Sequence, residues 1–290
     1  MRVVTCRRGS RGKPASEREA TVAIITISRG SFSGGKMLAE ALARRLGYRY
    51  IDRNQVIRKA AEWGVSQDDL RTAIEKPPSF FGQSQHTKYI YLAFIQAALA
   101  EDVRHGDAIY HGLAGHLLLG KGLHILRTRI IAPMEFRIAQ VQERMNLKRK
   151  EAVEYIETVD ADRRKWTRFL YGVDWADASL YDLVLNLEQM SLEEACEAIC
   201  ALAQSKSFQP TAETQAAIED LALASCVKAN LAMNPATCDL QFEVVARSGS
   251  VSLKGDIDTP GQAKKIRGFV EAIPGVSKLN LEELALTNRI

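Results

Sequence analysis

The residues with the clearest chemical potential form a short glycine-rich stretch that ends in a lysine. Gly30-Ser31-Phe32-Ser33-Gly34-Gly35-Lys36 fits the pattern of a phosphate-binding loop, in which four residues separate two glycines and a lysine follows. Glycines are needed because side chains would keep the backbone N–H groups from wrapping a phosphate. The lysine would reach the β- and γ-phosphates of a nucleotide. We therefore predict that Gly30 to Met37 bind a nucleotide.

The segments on either side of this stretch are those that such a loop requires. The β-branched run Val22–Ser28 predicts a buried strand before it. After it, apolar residues recur at helical spacing up to Gly47, which predicts a helix ended by a glycine. The N-terminus of that helix would add a field that favours anions. An ordinary glycine-rich turn is the alternative, but the order of strand, loop, lysine and helix favours phosphate binding.

The position after the lysine departs from the usual motif. Met37 stands where a serine or threonine would ligate Mg²⁺ through its hydroxyl. Either the metal is held through water and other groups, for which Ser33 and Asp52 are the candidates, or catalysis is impaired. The motif therefore supports nucleotide binding better than it supports turnover.

Basic residues are concentrated in the helical region from Glu135 to Arg168. Arginines there could stabilise the charge that spreads over the equatorial oxygens during phosphoryl transfer. Arg164 and Arg168 are four residues apart, so both would lie on one helical face toward two phosphates. The alternative is a solvated face paired with neighbouring glutamates. The basic residues are Arg137, Arg144, Lys148, Arg149, Lys150, Arg163, Arg164, Lys165 and Arg168.

Composition indicates a soluble globular protein, with 46% hydrophobic and 26% charged residues among 290. The five cysteines show no CxxC spacing, which favours a reducing compartment, and we predict a cytoplasmic protein.

Charge is unevenly distributed along the chain. Residues 211–290 hold eight basic and ten acidic residues, a net charge of −2, so the rest, at +6, would attract an anionic substrate. Residues 1–20 are expected to be a basic, flexible tail rather than a nucleic-acid arm, and no nucleic acid partner is expected.

Strands that alternate with helices predict a mostly parallel sheet covered on both faces. The predicted fold class is therefore α/β, a three-layer fold with a five-stranded, mostly parallel sheet and a helical lid over residues 21–202. The helical region from Gln55 to Arg104 is interrupted by the breaker segment Lys76–Gly82. Beyond the first, the expected strands are Tyr48–Ile51, Ala108–His111, His124–Ile131 and Tyr181–Leu187.

A second, smaller unit is predicted beyond a polar linker at residues 203–214. A helix near Ile218–Met233 is followed by two runs that alternate apolar and polar residues, with Arg247-Ser248-Gly249 as the turn between them. A further helix and the pair Pro274-Gly275 precede a last strand. The pattern is typical of a small α+β module over residues 215–285.

Several stretches of the first unit together resemble the cytidylate-kinase-like proteins. They are Ile25–Gly30 with Ser33–Lys36, Tyr50–Asp52, Val159–Arg164, Tyr171–Trp175 and Ser179–Val184. The resemblance implies a P-loop nucleoside-monophosphate-kinase fold with ATP as the donor and Mg²⁺ as the metal. It implies a nucleoside monophosphate of the CMP or dCMP type, or a similar small phosphate-bearing acceptor, as the second substrate.

The resemblance also assigns roles by position. The loop would hold the donor phosphates, Arg144 would stand at the start of the lid, and Asp52 would lie near the acceptor or the water ligands of the metal. The residues assigned to catalysis are Lys36, Arg144, Arg164 and Arg168, and those assigned to the acceptor are Asp52, Arg53 and Arg163.

Two positions depart from the family pattern. Lys165 replaces an acidic residue that holds the acceptor ribose, and Leu113 replaces an arginine that often follows the glycine of the third strand. Both changes weaken the case for CMP as the acceptor. His111 and His116, on either side of Leu113, are expected to be structural histidines rather than substrate contacts.

The C-terminal unit resembles a BON domain. Val251–Ile257 is similar to its glycine-bearing strand, and Ile273–Val276 to its helix-ending turn. The resemblance implies a phospholipid surface or a protein as the partner, although a net charge of −2 gives no attraction to anionic lipid. A structural module that forms a homo-oligomer is the alternative.

Two functions therefore compete. In the first, the chain transfers a phosphoryl group from ATP to a small acceptor. In the second, it is a nucleotide-binding regulatory protein with weak or no kinase activity, whose BON-like unit binds a partner or lipid. Met37, Leu113 and Lys165 are the residues that favour the second.

Overall fold

The computed structural model describes Val4 and residues 24–75, 85–112, 114–120 and 123–286. Up to residue 203 the elements are β1 (Ile24–Arg29), α1 (Gly35–Leu46), β2 (Arg49–Asp52), α2 (Arg53–Ala61), α3 (Gln67–Glu75), α4 (Gln85–Val103), β3 (Ala108–His111), α5 (Gly115–Leu118), β4 (Ile125–Ile131), α6 (Met134–Met145), α7 (Arg149–Tyr171), β5 (Leu183–Asn186) and α8 (Leu192–Ala203). Then follow α9 (Ala212–Met233), β6 (Phe242–Arg247), β7 (Ser250–Ile257), α10 (Pro260–Val270) and β8 (Lys278–Leu286). No helix within the described ranges is long and apolar enough to cross a membrane.

The larger sheet has five parallel strands in the order β2-β3-β1-β4-β5. β1 lies at its centre, where Ile24 pairs with Ala108 of β3 and with Ile125 of β4. The first five residues of β1 are buried, as expected for a parallel strand covered on both faces. Because parallel strands end at the same edge, the loops after β1, β2 and β3 meet there. The predicted α/β fold with a five-stranded parallel sheet is confirmed.

Glycines set both ends of α1. The helix begins after Gly34, which has a φ of +80°, and it ends at Gly47, with a φ of +68°, whose N–H donates to the carbonyl of Ala43. Glycine adopts this left-handed region without the steric cost of a Cβ. Leu38 and Leu42 are fully buried on the face of α1 that belongs to the core of the sheet. The loop from residue 30 to 34 is thus held between a buried strand and a buried helix.

The strands differ from the predicted ones mainly at their ends. β5 covers Leu183–Asn186 and is shorter than predicted. Tyr181 instead ends a 3-10 turn at Ala178–Leu180, where its N–H donates to the carbonyl of Ala178, and its buried side chain donates its hydroxyl to the carbonyl of Trp175. The side chain of Asp182 forms an ion pair with Arg127 of β4, whose Nη2 donates to Oδ1 at 2.6 Å. The breaker segment at residues 76–82, Val22 and Leu113 lie outside the described residues.

Helices α6 and α7 form an arm beside the loop that follows β1. Phe32 of that loop packs against the arm. Farther along α7, the indole N–H of Trp166 donates to the carbonyl of Ala73 in α3 at 2.8 Å, which ties α7 to the helices between β2 and β3. The buried residues where α6 and α7 meet are Ile138, Val141, Ala152 and Ile156.

The smaller sheet has the order β6-β7-β8, with β6 antiparallel and β8 parallel to β7. Ser248 and Gly249 form the turn between β6 and β7, and both have positive φ angles, +49° and +85°. Such paired left-handed residues match the twist of a two-residue hairpin turn. The hairpin lies where the sequence predicted it, and a second small sheet is therefore present.

Helix α9 joins the smaller sheet to the larger unit. It packs on α4 and on β6, and one hydrophobic core runs from Leu99 of α4 through Val227 and Leu231 of α9 to Val251 of β7. The stretch at residues 203–214 holds the end of α8, a short 3-10 turn at Lys206–Phe208 and the start of α9. The predicted division into two domains at this stretch stays a prediction.

Candidate active site

The loop from Gly30 to Lys36 needs its glycines for steric reasons. A Cβ at Gly30 would lie 2.8 Å from the hydroxyl of Ser33, and one at Gly35 would lie 2.7 Å from Cδ of Arg29. No side chain caps the N-terminus of α1 at Gly34. The first N–H groups of that helix are therefore left for an anion, which is the usual property of a phosphate-binding loop.

Phe32 gives this loop an unusual anchor. Its φ is +58°, a left-handed conformation that costs a non-glycine residue roughly 1–2 kcal/mol. The ring packs against the buried α6–α7 cluster and meets Tyr155 edge to face, with centroids 6.0 Å apart. The packing offsets the strain, so the loop is fastened to the α6–α7 arm.

Asp160 of α7 makes a second connection between the arm and the loop. One carboxylate oxygen accepts from the N–H of Ser31 at 3.2 Å and from its hydroxyl at 2.6 Å. The other oxygen pairs with Arg137 of α6, whose Nε donates to the carbonyl of Ser31 at 2.7 Å. One carboxylate therefore holds both helices of the arm on the loop.

A cavity of about 150 Å³ lies at the C-terminal edge of the larger sheet, beside the loop. This is where ligands bind in open parallel sheets. Four cationic side chains line it against a single carboxylate, so we call it the basic cavity. Its lining residues are Ser28, Arg29, Lys36, Tyr50, Asp52, Arg53, Asn54, His111, Gly112, Ala114, His116, Arg163, Trp175 and Tyr181.

Arg29 and Arg163 are two largely buried cations of this cavity. Burial lowers the pKa of Arg29 to about 10, and the neighbouring positive charge of Arg163 adds to the effect. Burial likewise lowers the pKa of Arg163, although Asp160 lies 3.8 Å from it. Nη1 of Arg163 donates to the carbonyl of Arg29 at 3.1 Å. Buried charges of one sign that lie this close favour an anion between them.

The two histidines of the cavity stay neutral. Burial and then the positive charge of Arg29 lower the pKa of His111 to about 3. Burial and then Arg127 lower the pKa of His116 to about 4. Nε2 of His111 lies 2.6 Å from Nε of Arg29, and Nδ1 of His116 lies 3.3 Å from the hydroxyl of Ser28. Neutral imidazoles add no charge to a cavity that already holds four cations.

The far wall of the basic cavity is aromatic. The guanidinium of Arg129 lies 4.3 Å from the ring centroid of Trp175, and Arg163 lies 5.9 Å from the same ring. Tyr181 lies 4.7 Å from His116, between ring centroids. These cation–π contacts fix the segment after α7 against the sheet.

The predicted site residues divide into those that line the basic cavity and those that do not. Lys36, Asp52, Arg53 and Arg163 line it. The side chain of Asp52 also accepts from the N–H of Gln55 at 2.8 Å and caps α2. These residues lie together as expected, and their roles stay predictions.

The predicted lid arginines lie elsewhere. Arg164 and Arg168 share a helical face, as predicted, but both pair with Asp174, at 3.3 and 2.9 Å. Arg144 lies beside the loop, with Nη2 3.6 Å from Sδ of Met37. The catalytic roles of these three arginines stay predictions. Lys165 is exposed and lies 4.0 Å from Asp162.

A metal ion bound beside the loop would have few protein ligands. Within the described residues, no group of three or more histidine, cysteine, aspartate or glutamate side chains could hold a metal ion. The hydroxyl of Ser33 is buried without a hydrogen-bond partner in the described part of the chain. Mg²⁺ in kinases is bound largely by phosphate oxygens and water, so such a site is compatible with Mg²⁺-ATP.

The sequence alone predicted no individual role for Arg29, Asp160 or Trp175, indicated Arg137 only as one of nine basic residues, and predicted a structural role for His111. Arg29 directly precedes the glycine-rich loop and His111 ends a predicted strand, so the positions of both at the sheet edge were available as a signal. No local signal distinguishes Asp160, or Arg137 from the other basic residues, because the role of each is recognised only by its contact with Ser31, more than 100 positions away.

In sequence, this chain is similar to cytidylate kinases. The chain matches the model of the cytidylate kinase-like family over residues 24–189. It is 28% identical over 179 residues to a cytidylate kinase of Ignicoccus hospitalis, covering 61% of this chain and 96% of that one. It is 30% identical over 185 residues to a cytidylate kinase of Methanothrix thermoacetophila, covering 62% and 99%. A solved shikimate kinase of Acinetobacter baumannii covers 63% of this chain and 93% of its own, with a TM-score of 0.38 and 11% identity.

The family match takes in more than half of the chain, from β1 through β5. It includes the glycine-rich loop, the basic cavity and the α6–α7 arm, and it ends before α8. The chain therefore belongs to the cytidylate kinase-like family and is a phosphotransferase of the nucleoside-monophosphate-kinase type.

Proposed function

We propose that the protein transfers a phosphoryl group from ATP to a nucleoside monophosphate of the CMP or dCMP type. The observation that carries this proposal is the basic cavity, where Arg29, Lys36, Arg53 and Arg163 face one carboxylate, Asp52, directly beside the phosphate loop. Two phosphate-bearing substrates would need such a surplus of positive charge in one place. The curated relatives of this chain are cytidylate kinases, which supports a cytidine nucleotide as the acceptor.

Catalysis would consist of positioning and electrostatic stabilisation. Mg²⁺-ATP, when bound, supplies the phosphoryl group and neutralises part of its charge. Lys36 would contact the β- and γ-phosphates, and Arg53 and Arg163 would hold the acceptor phosphate in line with them. Arg144 would approach the donor from the end of α6. Arg164 and Arg168 would join only if a phosphate replaced Asp174 as their partner.

The test is an acceptor panel with the full chain. CMP, dCMP, UMP, AMP and GMP are each incubated with ATP and Mg²⁺, and ADP formation is followed. We expect ADP to form fastest with CMP or dCMP. No ADP with any acceptor, together with measurable ATP binding, would sink the kinase proposal.

The second candidate, a nucleotide-binding regulatory protein, has its own support. Met37 replaces the metal-binding hydroxyl, and Asp174 holds two of the arginines that a kinase would use. ATP binding separates the loop assignment from turnover. Lys36→Ala should abolish ATP binding in calorimetry under either function, whereas Lys206→Ala, in the short turn after α8, should leave it unchanged. Retained binding in Lys36→Ala would mean that the loop does not bind ATP.

We also propose that residues 215–285 form a BON-like module. The alternation of β6 and β7 and the turn after α10 support this assignment. Its partner would be a second copy of the chain, a protein or a phospholipid surface. Light scattering of the full chain and co-sedimentation with neutral and anionic vesicles distinguish these partners. A monomer that binds neither kind of vesicle would leave only a protein partner.

A further inference from the structure

Arg29 lies between the phosphate loop and the basic cavity. The aliphatic part of its side chain runs across Gly35, where a Cβ would meet Cβ, Cγ and Cδ of Arg29 within 3.3 Å. The same side chain lines the basic cavity. It therefore touches the donor loop with its stem and the acceptor side with its charged end.

Among the residues that the structure describes, the guanidinium of Arg29 is held at one nitrogen. Nε donates to Nε2 of His111 at 2.6 Å. The two terminal nitrogens make no hydrogen bond or ion pair to any residue in the described ranges. A guanidinium fixed at its inner nitrogen presents its outer pair as a rigid fork, which matches two oxygens of a phosphate.

His111 can hold Arg29 only as a neutral acceptor. Because Nε2 accepts the hydrogen bond, the ring proton is on Nδ1, which lies 3.5 Å from the hydroxyl of Tyr50. The two rings also stack, with centroids 6.4 Å apart and planes inclined by 20°. A protonated imidazole would place a second positive charge against Arg29, so neutrality is required for the contact.

We infer that Arg29 contacts phosphate at the junction of the donor and acceptor sites, and that His111 is the positioning residue that fixes its guanidinium. This inference rests on the proposed phosphoryl transfer. It assigns Arg29 to the reaction although Arg29 lies outside the glycine-rich motif. It also gives His111 a function other than packing.

A double-mutant cycle tests the pair. Arg29→Lys keeps the charge but lacks the nitrogen that His111 holds, and His111→Leu removes the acceptor. We expect Arg29→Lys to lower kcat about 100-fold, the loss typical of one electrostatic donor, and His111→Leu to lower it about 10-fold. The double variant should be no worse than Arg29→Lys, because His111 acts only through Arg29.

The conservative variant separates positioning from packing. His111→Gln offers a carbonyl oxygen to Nε of Arg29, so it should recover kcat to within about 3-fold of the wild type, whereas the apolar His111→Leu should not. KM for ATP should change less than kcat in all three variants. His124→Leu is the matched control, because His124 bonds the carbonyl of Gln209 and does not line the basic cavity.

Binding measurements keep this inference apart from the proposed function. If the wild type binds ATP and CMP but forms no ADP, the kinase proposal fails. Calorimetry then still reports whether Arg29→Lys and His111→Leu each raise Kd for both ATP and CMP. Additive effects of the two substitutions would overturn the inference. Equal behaviour of His111→Gln and His111→Leu would also overturn it. If His111→Leu fails to fold, His111→Phe supplies the apolar variant for both the cycle and the comparison, because it also lacks an acceptor for Nε of Arg29.

Discussion

Arg29 and Arg163 are charged groups of the basic cavity that lie largely buried, which is unfavourable for the free protein. Burial lowers the pKa of both Arg29 and Arg163, and the positive charge of Arg163 lowers the pKa of Arg29 further. Asp160 offsets part of this positive charge from α7. A phosphate that bound among these groups would supply the missing negative charge. The same residues that favour an anion are thus a cost to the free protein.

Asp160 is expected to contribute to stability as well as to nucleotide binding. Asp160→Asn removes the charge that faces Arg137 and Arg163 and weakens the hold on Ser31. We expect a loss of about 3 kcal/mol in the free energy of unfolding, the low end for a broken buried pair, because the carboxylate is 20% exposed. Urea unfolding measures it, and Kd for ATP should rise about 10-fold in calorimetry.

Asp174→Asn is the control for that substitution. Asp174 pairs with two arginines that are 47% and 62% exposed. Exposed pairs of this kind contribute less than about 1 kcal/mol. Similar losses in the two variants would contradict the special role of Asp160.

The histidines of the basic cavity give stability a pH dependence of known sign. The pKa of His111 is about 3 and that of His116 about 4 in the folded chain, against about 6.5 when unfolded. Between these values the unfolded chain binds more protons, so stability falls as the pH decreases below 6.5. At pH 5 each histidine would lower the free energy of unfolding by up to about 2 kcal/mol. His111→Gln should therefore lose less unfolding free energy than the wild type between pH 7 and pH 5, and equal losses in urea titrations would refute the neutral histidine.

At the scale of elements, the phosphate loop and the α6–α7 arm behave as one unit. Phe32 is packed into the arm, Asp160 holds Ser31, and Arg137 donates to the carbonyl of Ser31. A lid in a kinase of this type must move for substrates to enter and leave. Here its base is fastened to the loop, so motion would be confined to the parts of the arm beyond these contacts.

Substitutions at Phe32 distinguish packing from backbone strain. Phe32→Ala and Phe32→Gly lose the same contacts with the arm, but glycine adopts a φ of +58° without penalty. We expect Phe32→Gly to be more stable than Phe32→Ala by about 1 kcal/mol, the reverse of the order in an ordinary helix or strand. Chemical unfolding measures both. The opposite order would show that the loop is free to leave the left-handed conformation.

Local patterns predicted the elements but not the contacts between them. The strand, the glycine-rich loop and the helix ended by Gly47 follow from residue types that are neighbours in sequence. The contacts that complete the site join Arg29 to His111 and Ser31 to Asp160, residues 82 and 129 positions apart. Helical spacing correctly placed Arg164 and Arg168 on one face, but it holds no information on where that face points.

At the scale of the whole molecule, α9 connects the kinase-like unit with the smaller sheet. It packs on α4, which itself contacts α2 and α3 between β2 and β3. Because one hydrophobic core runs through these layers, a substitution that destabilises the smaller unit should also destabilise the larger one. A separate domain behind a linker would not transmit such a change.

Tryptophan fluorescence can decide between these descriptions. The three tryptophans, Trp63, Trp166 and Trp175, all belong to the larger unit, so their unfolding transition reports on that unit alone. Leu231, 2% exposed, lies in α9 within the shared core. Leu231→Ala should cost about 2–5 kcal/mol, the range for a buried leucine. If the core is cooperative, the fluorescence midpoint in urea should shift together with the far-UV circular dichroism.

The surface variant Lys264→Ala in α10 serves as the reference, with a shift expected within about 0.5 kcal/mol. Coincident transitions in the wild type and in Leu231→Ala would mean that residues 203–214 connect parts of one cooperative unit. A fluorescence midpoint that stays in place while the circular dichroism shifts would instead establish the domain boundary predicted there. In that case α9 would be only a docked neighbour of α4, and the smaller sheet would be able to respond to a partner without disturbing the basic cavity.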